Sequence, residues 1–196
     1  MGRFATGVAF VTAAPDGQPA GLIVNSLASV SLEPPLVSFC PARNSLTWSR
    51  MRRARRCGVN VLGRRHERFA LHAAPAGADR FAGLDWELGP GGVPLVTDAL
   101  ASLECEIVAQ HPAGDHWIVV GRVERLRTSA AQEPLVFFGG EFTAVAVAHR
   151  RSAHSRKTTR SSSGSSAVVS TASTRAPRPA GRRENRDDNA ISTPVW

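Results

Sequence analysis

Two clusters of small polar side chains carry the ligand-binding chemistry of this 196-residue chain. The first is Asn25, Ser26, Ser29 and Ser31, enclosed by apolar strand-like runs in AGLIVNSLASVSLEPPLVSFC (20–40). The second is Asn44, Ser45 and Thr47, which follow the next run. Small hydroxyl and amide groups at strand ends leave backbone amides open to a ligand. They suit an anionic, planar cofactor better than a core.

Other chemistries lack their residues. His66 and His72 in HERFALH are six apart, which is about 240° around a helix, so they cannot share a zinc-binding face. Neither GxSxG nor GxxxxGK is present, and GPGGVP (89–94) departs from GxGxxG. No paired carboxylates stand out. The three cysteines, Cys40, Cys57 and Cys105, sit in apolar settings without metal-ligand spacing, so no metal site is expected. Their odd number argues for reduced, buried thiols over a disulfide framework.

The elements that must position these clusters are mostly strands. GVAFVTAA (7–14) and PAGLIV (19–24) flank Pro15, Asp16 and Gly17, which predicts a β-hairpin. SVSL (29–32) and LVSFC (36–40) are short strands, and Pro34 and Pro35 exclude a helix between them. SLTWSRMRRARR (45–56) predicts an amphipathic helix capped by Asn44, with Leu46, Met51 and Ala54 inward and five arginines outward. That arginine run reads as a solvated face in preference to a nucleic-acid patch. CGVNVLG (57–63) predicts a strand, and HERFALHAA (66–74) a short helix ended by Pro75 and Gly77.

Residues 75–94 read as a long loop. A second hairpin follows: ALASLECEIVAQH (99–111), the turn PAGD, and HWIVVGRVERLRT (116–128). Leu103, Cys105 and Ile107 alternate with Glu104 and Glu106. PLVFFGGEFTAVAVA (134–148) predicts a last strand or strand pair. Strands outnumber helices and no βαβ alternation occurs, so the fold class is mainly β: an antiparallel barrel with peripheral helices.

Charge divides the chain. Residues 1–149 hold 14 Arg against 13 acidic residues, whereas 150–196 hold 10 basic residues against three acidic ones. The barrel domain is therefore expected at 1–149. The Ser/Thr/Arg/Pro-rich stretch 150–196 buries too little to offset its ordering entropy, which predicts a disordered tail. No specific nucleic-acid role is expected, since no aromatic residue interleaves its charges. No apolar run is long enough to span a bilayer, and no secretory signal opens the chain, so a cytoplasmic protein is expected.

Little acid–base machinery beside ligand-ready backbone suits a reaction whose hard step belongs to a cofactor. Hydride transfer between a nicotinamide and a flavin is one. It needs stacked rings and donors near the charge that develops on the flavin.

GRFATGVAFVT (2–12), GLIVNSLASVSLEPPLVSFC (21–40), CGVNVL (57–62), DRFAGL (79–84), LECEIVAQHPAGDHWIVVGRV (103–123) and PLVFFGGEF (134–142), in that order, resemble the flavin reductase-like family. The resemblance covers nearly all of residues 2–148. It implies an FMN-binding split β-barrel, a homodimer, and an NAD(P)H:flavin oxidoreductase. Such an enzyme reduces FMN or FAD with NADH or NADPH. The reduced flavin diffuses to a partner flavin-dependent monooxygenase.

Carried over by motif, Asn25, Ser26, Leu27 and Ala28 would line the isoalloxazine, with Ser29 and Ser31 supporting that wall. Cys40, Ala42, Asn44, Ser45 and Thr47 match the segment that holds the ribityl phosphate, with the start of the following helix directed at it. Arg80 resembles a basic residue near the flavin tail. His116, in GDH, resembles the histidine at the nicotinamide site. The residues alone leave other roles open: a strand cap for Asn25 and Ser26, a helix cap for Ser45 and Thr47, a turn histidine for His116. Family members carry a helical segment before GRFATGV and end near residue 148. This chain starts almost on that motif, and its tail is extra. Within the fold, the rival function is a flavin carrier without reductase activity; the rival in another class, ranked below it, is a nucleic-acid-associated protein acting through the basic tail.

Overall fold

The computed structural model describes residues 2–73, 79–129 and 133–145. The expected domain boundary at 149, the tail 150–196, and the helix stop at Pro75 and Gly77 lie outside those residues. Twelve strands are described: β1 Thr6–Gly7, β2 Ala9–Ala13, β3 Ala20–Val24, β4 Ala28–Leu32, β5 Pro35–Phe39, β6 Arg56–Val61, β7 Trp86–Leu88, β8 Pro94–Val96, β9 Ala101–Ala113, β10 His116–Thr128, β11 Leu135–Phe138 and β12 Glu141–Ala144. Two helices accompany them, α1 Leu46–Met51 and α2 Glu67–Ala73. No helix among the described residues is long and apolar enough to cross a membrane.

The main sheet has the order β3-β2-β6-β9-β10-β5-β4, with every pairing antiparallel. Its two edge strands, β3 and β4, are joined by only Asn25, Ser26 and Leu27. Six inter-strand spacings would put the edges of a flat sheet roughly 29 Å apart. The three-residue link spans at most about 14 Å. The sheet must therefore curl until its edges meet, which closes a barrel with no ladder between β3 and β4. This is a split β-barrel, and the seam falls on the first polar cluster.

Period-two alternation feeds two cores. Ala9, Val11 and Ala13 of β2, and Ala20, Leu22 and Val24 of β3, join Phe39, Trp48, Met51, Cys57, Val59, Cys105 and Val119 in the first. Phe10 and Ile23, on the opposite faces of the same strands, join Val8, Leu62, Phe69, Ala70, Val96 and Leu135 in the second. α1 plugs the first core: Trp48 and Met51 are fully buried, and Phe39 meets the Trp48 ring edge-on at 5.6 Å. Each such side chain stabilises the fold by about 1.5–3 kcal/mol relative to exposure.

The structure differs from the sequence reading at several places. The first helix ends at Met51, because the chain must turn over residues 52–55 to enter β6 at Arg56. Its inward residues are Trp48 and Met51, with Ala54 packed against them from the turn, whereas Leu46 is 84% exposed. Its N-cap is Ser45, not Asn44: the Ser45 hydroxyl accepts the Trp48 N–H at 3.1 Å. Within the expected loop 75–94, Trp86–Leu88 and Pro94–Val96 pair as a small hairpin.

A further difference is Glu104, which alternates with the apolar residues of β9 and is nonetheless buried. The turn between β7 and β8 covers it: its carboxylate accepts the Gly91 N–H, and Arg125 stands 3.9 Å away. Nearby, Gly58 must lack a side chain, since a Cβ there would lie 2.7 Å from the Pro94 carbonyl oxygen.

Candidate functional site

β9 and β10 form a 13-residue-per-strand hairpin whose turn is Gly114-Asp115. Gly114 adopts φ +62, which a β-hairpin turn of this length requires and which glycine adopts without strain. The start of β10 then lies beside the chain that leaves β5. The Trp117 N–H donates to the Pro41 carbonyl at 2.9 Å, and the Arg43 N–H donates to the Asp115 carbonyl at 2.8 Å. Ala42 and His116 stand opposite each other as an isolated antiparallel bridge. His116 is thereby fixed by backbone pairing next to the 42–45 segment.

The seam meets the same rim from the other side. The Cys40 N–H donates to the Ser26 hydroxyl at 2.9 Å, tying the 25–27 link to the end of β5. Three segments far apart in sequence thus converge: Asn25–Ala28, Cys40–Ser45 and the Gly114–His116 turn. Asn25, Ser26 and Leu27 are half-buried, and Leu27 packs on the first core. β4 is an edge strand that exposes Ala28 and Ser29, with Ser31 half-buried, and its register shifts between Ser29 and Ser31. Asn44 is exposed, Ser45 and Thr47 half-buried.

Arg80 stands elsewhere in this layout. It precedes Phe81, whose ring packs against Phe10 at 5.3 Å and Trp86 at 5.2 Å, on the second core. Burial lowers its guanidinium pKa. His66 and His72 are separate as expected. His66 is buried against Asp98 at 2.9 Å, and exposed His72 bonds the Arg68 carbonyl. The cysteines are free, with Cys57 and Cys105 opposed across β6 and β9 inside the barrel. Burial and the neighbouring Cys105 thiol hold the Cys57 thiol well above its ordinary pKa, the Cys105 contact being the larger influence. That makes it a poor nucleophile.

The donor set fits a flavin mononucleotide portion. The edge of β4 that faces the seam presents alternating backbone N–H and C=O groups, which match the alternating acceptor and donor edge of a flavin pyrimidine ring. Ala28, Ser29 and Ser31 give that stretch of edge small side chains, with Val30 the one larger residue among them. The Ser45 hydroxyl accepts from Trp48 and keeps its own hydrogen to donate. Thr47 lies on the first turn of α1 and adds a second hydroxyl. The six-residue helix supplies little dipole beyond these groups.

Sequence reasoning passed over Arg43, Arg52 and Trp117. Arg52, read as part of a solvated face, lies over the Trp117 ring at 4.2 Å from its centroid, and Arg43 lies over the same ring at 5.6 Å. Only the tertiary pairing of β10 with residues 41–43 brings these three together, and no local pattern announces it.

Comparison with known proteins agrees with this geometry. Residues 1–146 match the family model described as "Flavin reductase like domain". The chain is 39% identical over 145 residues to the flavin-dependent monooxygenase reductase subunit HsaB of Rhodococcus jostii, covering 74% of each chain. It is 41% identical over 142 residues to the NADH-dependent FMN reductase SmoA of Agrobacterium fabrum, covering 72% of this chain and 80% of that one. Among solved structures, it resembles the Streptomyces globisporus NADH:FAD oxidoreductase SgcE6 in complex with NAD and FAD fragments. That match has a TM-score of 0.70 and 38% identity, over 74% of this chain and 88% of the other. By its sequence, its split barrel and these relatives, the chain belongs to the flavin reductase like family.

Proposed function

We propose that this protein is an NAD(P)H:flavin oxidoreductase that reduces FMN or FAD and supplies reduced flavin to a flavin-dependent monooxygenase. The observation that carries the reading is the convergence of Asn25–Ala28, Cys40–Ser45 and His116 on one rim, at the seam of the barrel. Flavin supplies the ring that accepts hydride when bound. The protein binds and orients. The β4 edge and the Asn25–Ala28 link hold the ring edge, and Ser29 and Ser31 keep that wall small. Cys40 and Ala42 shape the turn after β5, and Asn44, Ser45 and Thr47 meet the ribityl phosphate.

His116 faces the nicotinamide. Its Nδ1 bonds the Asp115 carboxylate at 2.8 Å, which fixes the ring, and that bond holds the Asp115 carboxyl below the usual carboxylate range. Hydride transfer needs alignment more than a proton at this position, so His116 acts by orientation.

The relatives named as reductase subunits of flavin-dependent monooxygenases support an oxygenase partner. Transfer by diffusion of free flavin suits a site open at a barrel seam. We place the protein in the cytoplasm, where three free thiols and a nicotinamide supply fit. A homodimer is supported by apolar side chains on the edge strand β4, where Val30 is 53% and Leu32 85% exposed.

The test is NADH and NADPH oxidation by purified protein with and without FMN or FAD, flavin being turned over as substrate. Oxidation only in the presence of flavin supports the reading. Tight flavin binding with no oxidation of either nicotinamide would make the protein a flavin carrier instead. Light scattering on the eluted protein checks the dimer.

A further inference from the structure

We infer that Arg43, Arg52 and Trp117 form the binding site for the second phosphate of FAD, so that this protein favours FAD over FMN. The inference rests on the flavin-reductase reading above. Seven of the described arginines are each within 4.0 Å of a carboxylate: Arg55, Arg56, Arg64, Arg65, Arg122, Arg125 and Arg127. Arg43 and Arg52 are not among them. They are held instead by one aromatic ring, Trp117, at 5.6 and 4.2 Å from its centroid.

A ring quadrupole attracts each guanidinium but leaves its charge and its in-plane N–H groups available. Two like charges gathered round one ring repel each other, and an anion between them removes that repulsion. Asp115, whose backbone carbonyl accepts the Arg43 N–H, has its carboxylate committed to His116. Both guanidiniums belong to exposed residues, while Trp117 is half-buried against the first core and gives them a fixed base.

Position then selects the anion. Arg43 sits between Ala42 and Asn44, inside the segment assigned to the ribityl phosphate, and one of its guanidinium N–H groups donates to the Gly114 carbonyl at 3.3 Å. That tether points the cation along the rim between the 42–45 segment and the Gly114–His116 turn. FAD differs from FMN by an adenylate joined through a second phosphate directly to the first. A cationic pair next to the first-phosphate segment meets that second phosphate. Guanidinium forks bind phosphate oxygens bidentately, and the Trp117 ring edge offers apolar area for the adenosine beyond.

The experiment measures dissociation constants for FAD and FMN, by flavin fluorescence titration, in the full chain and in Arg43→Gln, Arg52→Gln and Arg53→Gln. Melting temperatures confirm folding in each. The expected wild type binds FAD more tightly than FMN. In Arg43→Gln and Arg52→Gln the ratio of FAD to FMN dissociation constants rises by about tenfold, the effect of one lost charge-assisted bond. Arg53→Gln, an exposed arginine on the same turn, leaves the ratio unchanged.

Equal losses for FAD and FMN would place the cluster on the shared phosphate and overturn the inference. An unchanged ratio would also overturn it. So would a rise in the Michaelis constant for NADH, measured with FMN, larger than the loss of FAD affinity; the cluster would then serve the nicotinamide dinucleotide. A wild type that binds neither flavin would instead overturn the reductase reading, and the two failures are therefore distinct.

Discussion

The hydroxyl of Ser26 accepts the backbone N–H of Cys40 at 2.9 Å, and this bond spans the gap between the link that closes the barrel and the end of β5. Ser26 therefore does structural work at the rim proposed to hold the flavin. Ser26→Ala leaves the half-buried Cys40 N–H without its partner. We expect a loss of about 1–3 kcal/mol in stability by urea unfolding, together with weaker flavin binding. Ser26→Thr, which keeps the acceptor, should recover most of the stability. Equal stability in wild type and Ser26→Ala would mean that water replaces the hydroxyl.

Ser45 and Thr47 separate two roles. Ser45 caps α1, so Ser45→Ala should cost about 1 kcal/mol of stability. Ser45→Asp keeps a capping acceptor but sets a negative charge beside the flavin phosphate. It should therefore melt like wild type and bind FMN more weakly than Ser45→Ala. Thr47→Ala should lower flavin affinity by about 1 kcal/mol, and by up to about 3 with a charged acceptor, with little change in melting. If riboflavin, which lacks the phosphate, loses as much affinity as FMN in these variants, the phosphate assignment is wrong.

His116→Ala should raise the Michaelis constant for NADH or slow flavin reduction in stopped-flow traces, while flavin affinity changes little. The backbone bridge between His116 and Ala42 does not need the ring, so the rim should keep its shape in this variant. A variant that loses flavin yet reduces bound flavin at the normal rate would put His116 on the other ligand.

Asp98 ties the second core to acid. Burial acts as its largest single influence and works to raise its pKa. The bonds from His66 at 2.9 Å and Arg65 at 2.9 Å together outweigh it and leave the carboxyl below its ordinary value. His66 receives the Gly63 N–H on Nδ1, so its Nε2 carries the proton toward Asp98. A depressed carboxyl stabilises the fold above its unfolded value, about 3.9, and that share is lost as pH falls through the lower folded value. Partial exposure keeps the share below about 1 kcal/mol. Wild type and Asp98→Asn should therefore show stabilities that converge as pH drops below about 4. A gap that stays constant down to pH 2 or so would remove Asp98 from the acid response.

Much of the fold was legible because its signals are local. Pro15-Asp16-Gly17 marks the first hairpin and Gly114-Asp115 the last long one, and alternation identifies the strands between them. The polar cluster at Asn25–Ser31 was legible for the same reason, since four small polar residues interrupt two apolar strands. What the residues alone did not reveal depends on contacts between distant segments. Nothing near Glu104 announces that Gly91 will cover it. Nothing in the arginine run says that Arg52 will find Trp117, sixty-odd positions on, while Arg53 faces water. The helix that stopped at Met51 has the same origin: the periodicity continues to Arg56, but Arg56 is claimed by the ladder to Glu106.

The unzipped seam has a kinetic consequence. β4 hangs from the barrel by a single ladder, to β5, and its outer edge has no strand to hold it. In the free protein it should therefore open locally more readily than the doubly paired β6 and β9, and its amides should exchange with solvent sooner than theirs. A ring seated along that edge stands in for the missing neighbour. With flavin at the proposed site, each turnover would fasten and unfasten the barrel, and the residence time of the product would be set by how readily one edge strand peels away. A stiffer β4 should hold reduced flavin longer and starve the oxygenase, whereas a looser one would hand flavin over faster and leave it exposed to dioxygen.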